Sequence, residues 1–317
     1  MTTTTEHPST ESRFTEAWRD PSLRLQRMLA MVLLICQGGI TVTGSLVRVT
    51  GSGLGCDTWP LCHEGSLVPV AGASPWIHQA IEFGNRTLTF VVAAAAVLVL
   101  LAVIRAGRSK IIRELAWTSL FGVVFQAIVG GISVLLDLRW WSVAVHFLPS
   151  MILVWVAAIL YMRIAESDDE LPTRRYPARA QTWTVIAAVA LCFVLVTGTM
   201  VTGSGPHSGD SGIGMEGRLQ LDTRVLAYVH AICMYLYLIS TLIVTVLLHR
   251  NGAPEDAKRT AWVLIALIVV QWAIGVTQFR MGVPRWTIPV HIGMSSTVVA
   301  FSAFLFAHGK RRLPTLV

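Results

Sequence analysis

The chain has 317 residues, of which 54% are hydrophobic and 14% charged, and a formal net charge of +7. Its mean hydropathy is positive, so the composition is that of a polytopic membrane protein. The Lys and Arg residues sit in short segments between apolar runs, a loop bias rather than a contiguous basic face, so no nucleic-acid partner is expected.

Residues 1–27 form a polar, Thr-rich segment expected to be a disordered cytoplasmic tail. No short apolar core with a cleavage site precedes the first long apolar run, so no cleaved signal peptide is expected. Eight apolar spans follow, at roughly 28–47, 78–104, 112–135, 141–162, 183–202, 225–248, 260–279 and 287–307. Each is long enough to cross a hydrocarbon core of ~30 Å as a helix. Spans one to four make an N-terminal half, 28–165, and spans five to eight a C-terminal half, 183–309. A cytoplasmic linker, 166–182, joins them, and 310–317 is a second cytoplasmic tail. The expected fold is all-α, with eight transmembrane helices arranged as two repeated four-helix bundles.

Eighteen Lys and Arg residues flank one side of the spans, against six on the other: Arg48, Arg139, Arg218, Arg224, Arg280 and Arg285. The positive-inside bias puts both termini in the cytoplasm, consistent with an even span count. The outer loops at 48–77 and 203–224 are long, and those at 136–140 and 280–286 are short.

The two halves echo each other. Trp141 pairs with Trp286, Val145 with Val290, His146 with His291 and Ser150 with Ser295, all at one constant offset. The same offset joins Gln126 to Gln271, Gly130 to Gly275 and Asn85 to His230. Near the starts of the halves, Thr50-Gly51-Ser52-Gly53 echoes Thr202-Gly203-Ser204-Gly205 at a slightly larger spacing. Constant offsets across several segments indicate a duplicated unit.

His146, His230 and His291 fall near the outer ends of their spans, as do Glu82 and Asn85. Ionisable groups inside a membrane are costly and are functional candidates by default, although a lone His is as often a hydrogen-bonded core residue. The symmetric placement favours ligation. His230 and His291 suit a bis-imidazole clamp on an iron porphyrin. In the first half Asn85 replaces the second His, which leaves His146 as the one strong ligand and the other face open to a substrate. His78 lies seven residues before Asn85, about 10 Å along the same helix face, and reads as an interfacial His at a helix start.

Glu82 and Arg86 share a face with Asn85. They read either as an ion pair that lets both enter the membrane or as a carboxylate aimed at a bound porphyrin. The second half has Ala227 at the matching position, so only the first half carries the acid. Cys56 and Cys62, in the first outer loop, can form a disulfide outside the cytoplasm. With His63 they would make only a loose metal site. Cys36, Cys192 and Cys233 lie in apolar spans and read as packing.

These landmarks resemble the heme A synthase family over nearly all of residues 28–307. The resemblance rests on Gly51-Ser52-Gly53-Leu54-Gly55-Cys56 running to Trp59-Pro60-Leu61-Cys62, on Glu82 ahead of Asn85-Arg86, and on Gly205-Pro206-His207-Ser208-Gly209-Asp210. The four-plus-four repeat and the three His complete it. It implies a haem b cofactor between His230 and His291 and haem o as substrate in the first half, held by His146. The C8 methyl of haem o would be oxidised to a formyl group, with Glu82 tied to that chemistry. Asn85 and Arg86 would contact the substrate, and Cys56 and Cys62 would be disulfide-capable. The family pattern has His where this chain has Asn85. Implied partners are membrane lipid, a haem o synthase and the cytochrome oxidase that receives haem a. A homo-oligomer is compatible with this, and the location is the cell membrane. Two other readings fit part of the pattern. A non-catalytic bis-haem b electron carrier would leave Glu82 and the loop cysteines unexplained. A repeat-built transporter would place its polar residues at the midplane.

Overall fold

A computed structural model describes residues 18–207 and 217–312. Eight long helices account for most of the described chain: α1 (Leu23–Val49), α2 (Trp76–Arg105), α3 (Lys110–Leu135), α4 (Trp140–Ile164), α5 (Ala178–Ser204), α6 (Thr223–Arg250), α7 (Glu255–Arg280) and α8 (Thr287–His308). All eight are long and apolar enough to cross a membrane. Every predicted span has its helix, and most helices run past the apolar stretch, because polar residues continue the backbone hydrogen-bond ladder until a cap stops it. Ser22 caps α1 by accepting from the Leu25 amide, so the first helix begins inside the segment expected to be a tail. Pro177 precedes α5, which therefore begins inside the expected linker. The outermost tail residues and Ser208, Gly209 and Asp210 of the second outer loop lie outside the described residues.

Local geometry repeats at several matched positions. The α3–α4 turn carries Asp137 and Leu138 at φ 52° and 53°, with the Leu138 amide donating to Ser133 O at 2.9 Å. The α7–α8 turn carries Gly282 and Val283 at φ 74° and 60°, with Val283 donating to Gln278 O at 2.9 Å. Left-handed backbone suits Gly282 and is tolerated by Asp137.

Helices α1, α4 and α8 meet at the centre and join the two halves. Small residues allow this close approach. Gly38 lies against Ser296, and Gly293 against Val42. The Thr41 hydroxyl lies 2.9 Å from that of Ser296. At the end where α1 begins and α8 finishes, β1 (Thr173–Arg174) pairs antiparallel with β2 (Lys310–Arg311), so two residues of the expected tail are structured. Buried Arg108 gathers that end. It donates to Asp168 Oδ2 (2.6 Å), Gln26 Oε1 (2.8 Å), Ile164 O (3.0 Å) and Glu166 O (2.8 Å).

The opposite end is capped by the loop between α1 and α2. The Cys56–Cys62 disulfide closes that loop. Its His63 is bound between Asp57 (2.9 Å) and Gln79 (3.0 Å), and no cluster of three metal-ligating side chains occurs among the described residues. Cys192 is exposed on α5 rather than packed. In a helix that faces lipid, a thiol on the surface costs little.

Candidate functional site

Helices α2, α4, α6 and α8 all start at the capped end. Their chemistry-bearing residues therefore lie within roughly the first three turns, at one common level. The sequence candidates fall at that level in two sets.

The second set holds His230 of α6 and His291 of α8. The Thr197 hydroxyl lies 3.1 Å from His230 Nδ1. The same hydroxyl donates to Phe193 O at 2.7 Å, so it accepts from the imidazole. That fixes the tautomer and leaves Nε2 with its lone pair, the arrangement a metal-binding His needs. His291 keeps a buried Nδ1 with no partner. Its carbonyl is held by Gln271 Nε2 (3.1 Å) and Ser295 Oγ (2.8 Å). A Cβ on Gly198 would meet the His230 ring at 3.2 Å, and one on Gly275 the His291 ring at 3.3 Å. Each imidazole thus has glycine backbone behind it. With Nδ1 of His230 hydrogen-bonded and its Nε2 free, and a second imidazole on α8, this donor set fits a porphyrin iron.

In the first set, His146 of α4 repeats the His291 arrangement. Gln126 Nε2 donates to its carbonyl at 3.0 Å and Ser150 Oγ at 3.1 Å. Its Nδ1 is buried without a partner, and Gly130 backs the ring at 3.0 Å. Pro149 interrupts the hydrogen-bond ladder of α4 just beyond it. Asn85 stands where His230 stands in the other set, and its Oδ1 lies 2.7 Å from the Thr43 hydroxyl. A Cβ on Gly44 would meet nothing within 4 Å. The shorter amide therefore leaves space where Gly198 has an imidazole. Thr43 and Thr197 are site residues that the sequence reading missed. The signal was Val42-Thr43-Gly44 against Val196-Thr197-Gly198.

Glu82 is 4% exposed. Its Oε2 accepts from the Cys56 amide at 2.8 Å, and its Oε1 accepts from Arg86 Nη2 at 2.6 Å and Nε at 3.1 Å. Arg86 also donates to Cys56 O (2.8 Å), Thr58 O (2.9 Å) and Leu61 O (3.0 Å). The ion pair considered from sequence is thus present, and it is bound into the disulfide loop. His78 is not drawn to Asn85. It bonds Ser52 Oγ at 3.0 Å and lines a groove of about 410 Å³ with Arg285 and Trp286. Arg48, one of the six outer-side residues, donates to His207 O (2.9 Å) and Thr202 O (3.3 Å).

Residues 27–208 match the family model described as COX15-CtaA, cytochrome oxidase assembly protein. The chain is 27% identical over 276 residues to a heme A synthase of Staphylococcus aureus, covering 79% of this chain and 85% of that protein. It is 26% identical over 266 residues to the heme A synthase of Bacillus licheniformis, covering 78% and 84%. It is 30% identical over 182 residues to that of Staphylococcus saprophyticus, covering 55% of this chain and 58%, less than two thirds, of that relative.

Proposed function

The chain belongs to the COX15-CtaA family of cytochrome oxidase assembly proteins, the heme A synthase family, and from that premise we propose that it oxidises the C8 methyl of haem o to the formyl group of haem a for a terminal oxidase. The observation that carries this reading is the asymmetry between the two residue sets. One has two imidazoles, each backed by glycine. The other has one imidazole, an amide with space beside it and a buried carboxylate. An electron carrier needs the first arrangement twice.

Haem b bound between His230 and His291 would supply one-electron transfer. His146 holds the substrate from one side, and Asn85 leaves the other side open. The reaction is a four-electron oxidation: two successive hydroxylations each take oxygen from water, release two protons and pass two electrons to an external acceptor, and loss of water from the resulting diol leaves the formyl group. Glu82 is a carboxyl group already oriented by the Cys56 amide and Arg86. Such a group can stabilise positive charge developing at the methyl carbon or accept a proton there. Arg86 commits Nε, Nη1 and Nη2 to Glu82 and loop carbonyls, so its part in substrate binding is indirect and Asn85 is the direct contact. The positive-inside bias places the capped end outside the cell membrane and both termini in the cytoplasm. The farnesyl tail of haem o then has lipid at hand, and a haem o synthase and the oxidase are the supplier and recipient.

Haem extraction after expression with a source of haem o tests the reading. The account predicts haem b together with haem o or haem a. Two haem b per chain and no haem a would instead support the electron carrier.

A further inference from the structure

The geometry points to Arg86 as the positioning residue for Glu82, acting by fastening the disulfide-closed loop onto the carboxylate. This rests on Glu82 being the reacting carboxylate. A guanidinium that merely neutralised Glu82 would need only the face it turns to Oε1. Here Nη1 is given wholly to Thr58 O and Leu61 O, and Nη2 is shared between Cys56 O and Glu82. The Cys56 peptide is gripped from both sides, its amide donating to Glu82 Oε2 and its carbonyl accepting from Arg86. Three loop carbonyls converge on one side chain because the Cys56–Cys62 bond closes the loop around it.

Independent contacts seat the same loop. Trp59 packs directly on Gly131 of α3, Gly55 on the backbone of His78 and Gln79, and Gly53 on Leu138. The loop is therefore braced against α2, α3 and the α3–α4 turn, and Arg86 transmits that rigidity to Glu82. The second half has Ala227 and Ala231 where Glu82 and Arg86 would fall. The fastening is absent where the carboxylate is absent. Arginine suits the task because its planar fork serves several acceptors at fixed angles, whereas lysine is a point charge on a flexible stem.

The test compares full-length Arg86→Lys and Arg86→Ala with wild type in isolated membranes supplied with haem o. Protein yield, the low-spin haem b band, haem o bound per protein and the rate of conversion to haem a are measured. Arg86→Lys should keep yield, haem b and haem o binding while conversion falls about 10²-fold, the scale of a reacting group displaced by about 1 Å. In Arg86→Ala, added guanidinium should restore conversion and methylammonium should not, a distinction that charge neutralisation alone would not make. Wild-type conversion by Arg86→Lys, or equal rescue by the two cations, would overturn the proposal. If Arg86→Ala fails to accumulate, the lysine variant decides by itself. An active Glu82→Gln protein would instead overturn the reading of Glu82. An inactive Glu82→Gln beside a fully active Arg86→Lys would remove only the positioning role.

Discussion

The hydroxyl of Thr197 lies 3.1 Å from Nδ1 of His230, and the hydroxyl of Thr43 lies 2.7 Å from Oδ1 of Asn85. A matched threonine serves an imidazole in one half and an amide in the other. Because Thr197 also donates to Phe193 O, it orients His230 with Nε2 free. Thr197→Val, nearly the same in shape, should weaken haem b binding 10- to 100-fold, the usual cost of losing such an outer partner, as read by haem titration of the purified protein. Unchanged affinity would reduce Thr197 to a packing role.

His230→Ala and His291→Ala should each abolish or shift the low-spin haem b spectrum while leaving an eight-helix protein by circular dichroism. On the proposed ligation the two rings share one bound group, so the double variant should lose no more than either single one. Retention of the low-spin band in both single variants would remove the ligand assignment.

Asn85→His should be accommodated, since Gly44 has nothing within 4 Å of a Cβ position. The variant would restore the arrangement of the second half and close the open side of the substrate site. A second low-spin signal should appear on loading with haem o, and conversion to haem a should fall. If Asn85→Ala instead removes bound haem o as completely as His146→Ala does, Asn85 is a principal binding residue.

At the opposite end, burial alone would raise the Asp168 pKa, but hydrogen bonds from Ser109 and Arg108 outweigh it and hold the carboxyl below its ordinary value. A lowered pKa in the folded state stabilises above the unfolded pKa of about 3.9, and that contribution is lost as pH falls through the folded value. The contribution is therefore complete at neutral pH and is lost progressively as pH falls below about 4. Asp168→Asn should cost about 2 kcal/mol at pH 7, and the difference from wild type should shrink in thermal melts at acid pH. A difference independent of pH would show that the charge is not what matters.

The eight helices were legible because membrane spanning demands long apolar runs, and the three His and Glu82 stood out against those runs. The Thr43 and Thr197 pairing was harder to see. Val42-Thr43-Gly44 and Val196-Thr197-Gly198 align, but the spacing changes by two residues before the Thr-Gly-Ser-Gly echo, so a constant offset does not find both. The glycines at 130 and 275 were visible as a matched pair, but their role in backing an imidazole depends on how neighbouring helices cross. Arg86 was legible as an ion-pair partner four residues from Glu82. Its bonds to Cys56, Thr58 and Leu61 depend on the path of the disulfide loop, which helix periodicity does not specify.

The account turns on Glu82, and its most direct test is chromatographic haem analysis of Glu82→Gln beside the yield and melting temperature of that protein. The amide keeps the size of the side chain, and its single oxygen can still accept from either the Cys56 amide or Arg86. The account predicts a folded protein with its low-spin haem b intact, no haem a, and accumulated haem o or its hydroxylated form. Normal haem a output from well-folded Glu82→Gln would contradict it.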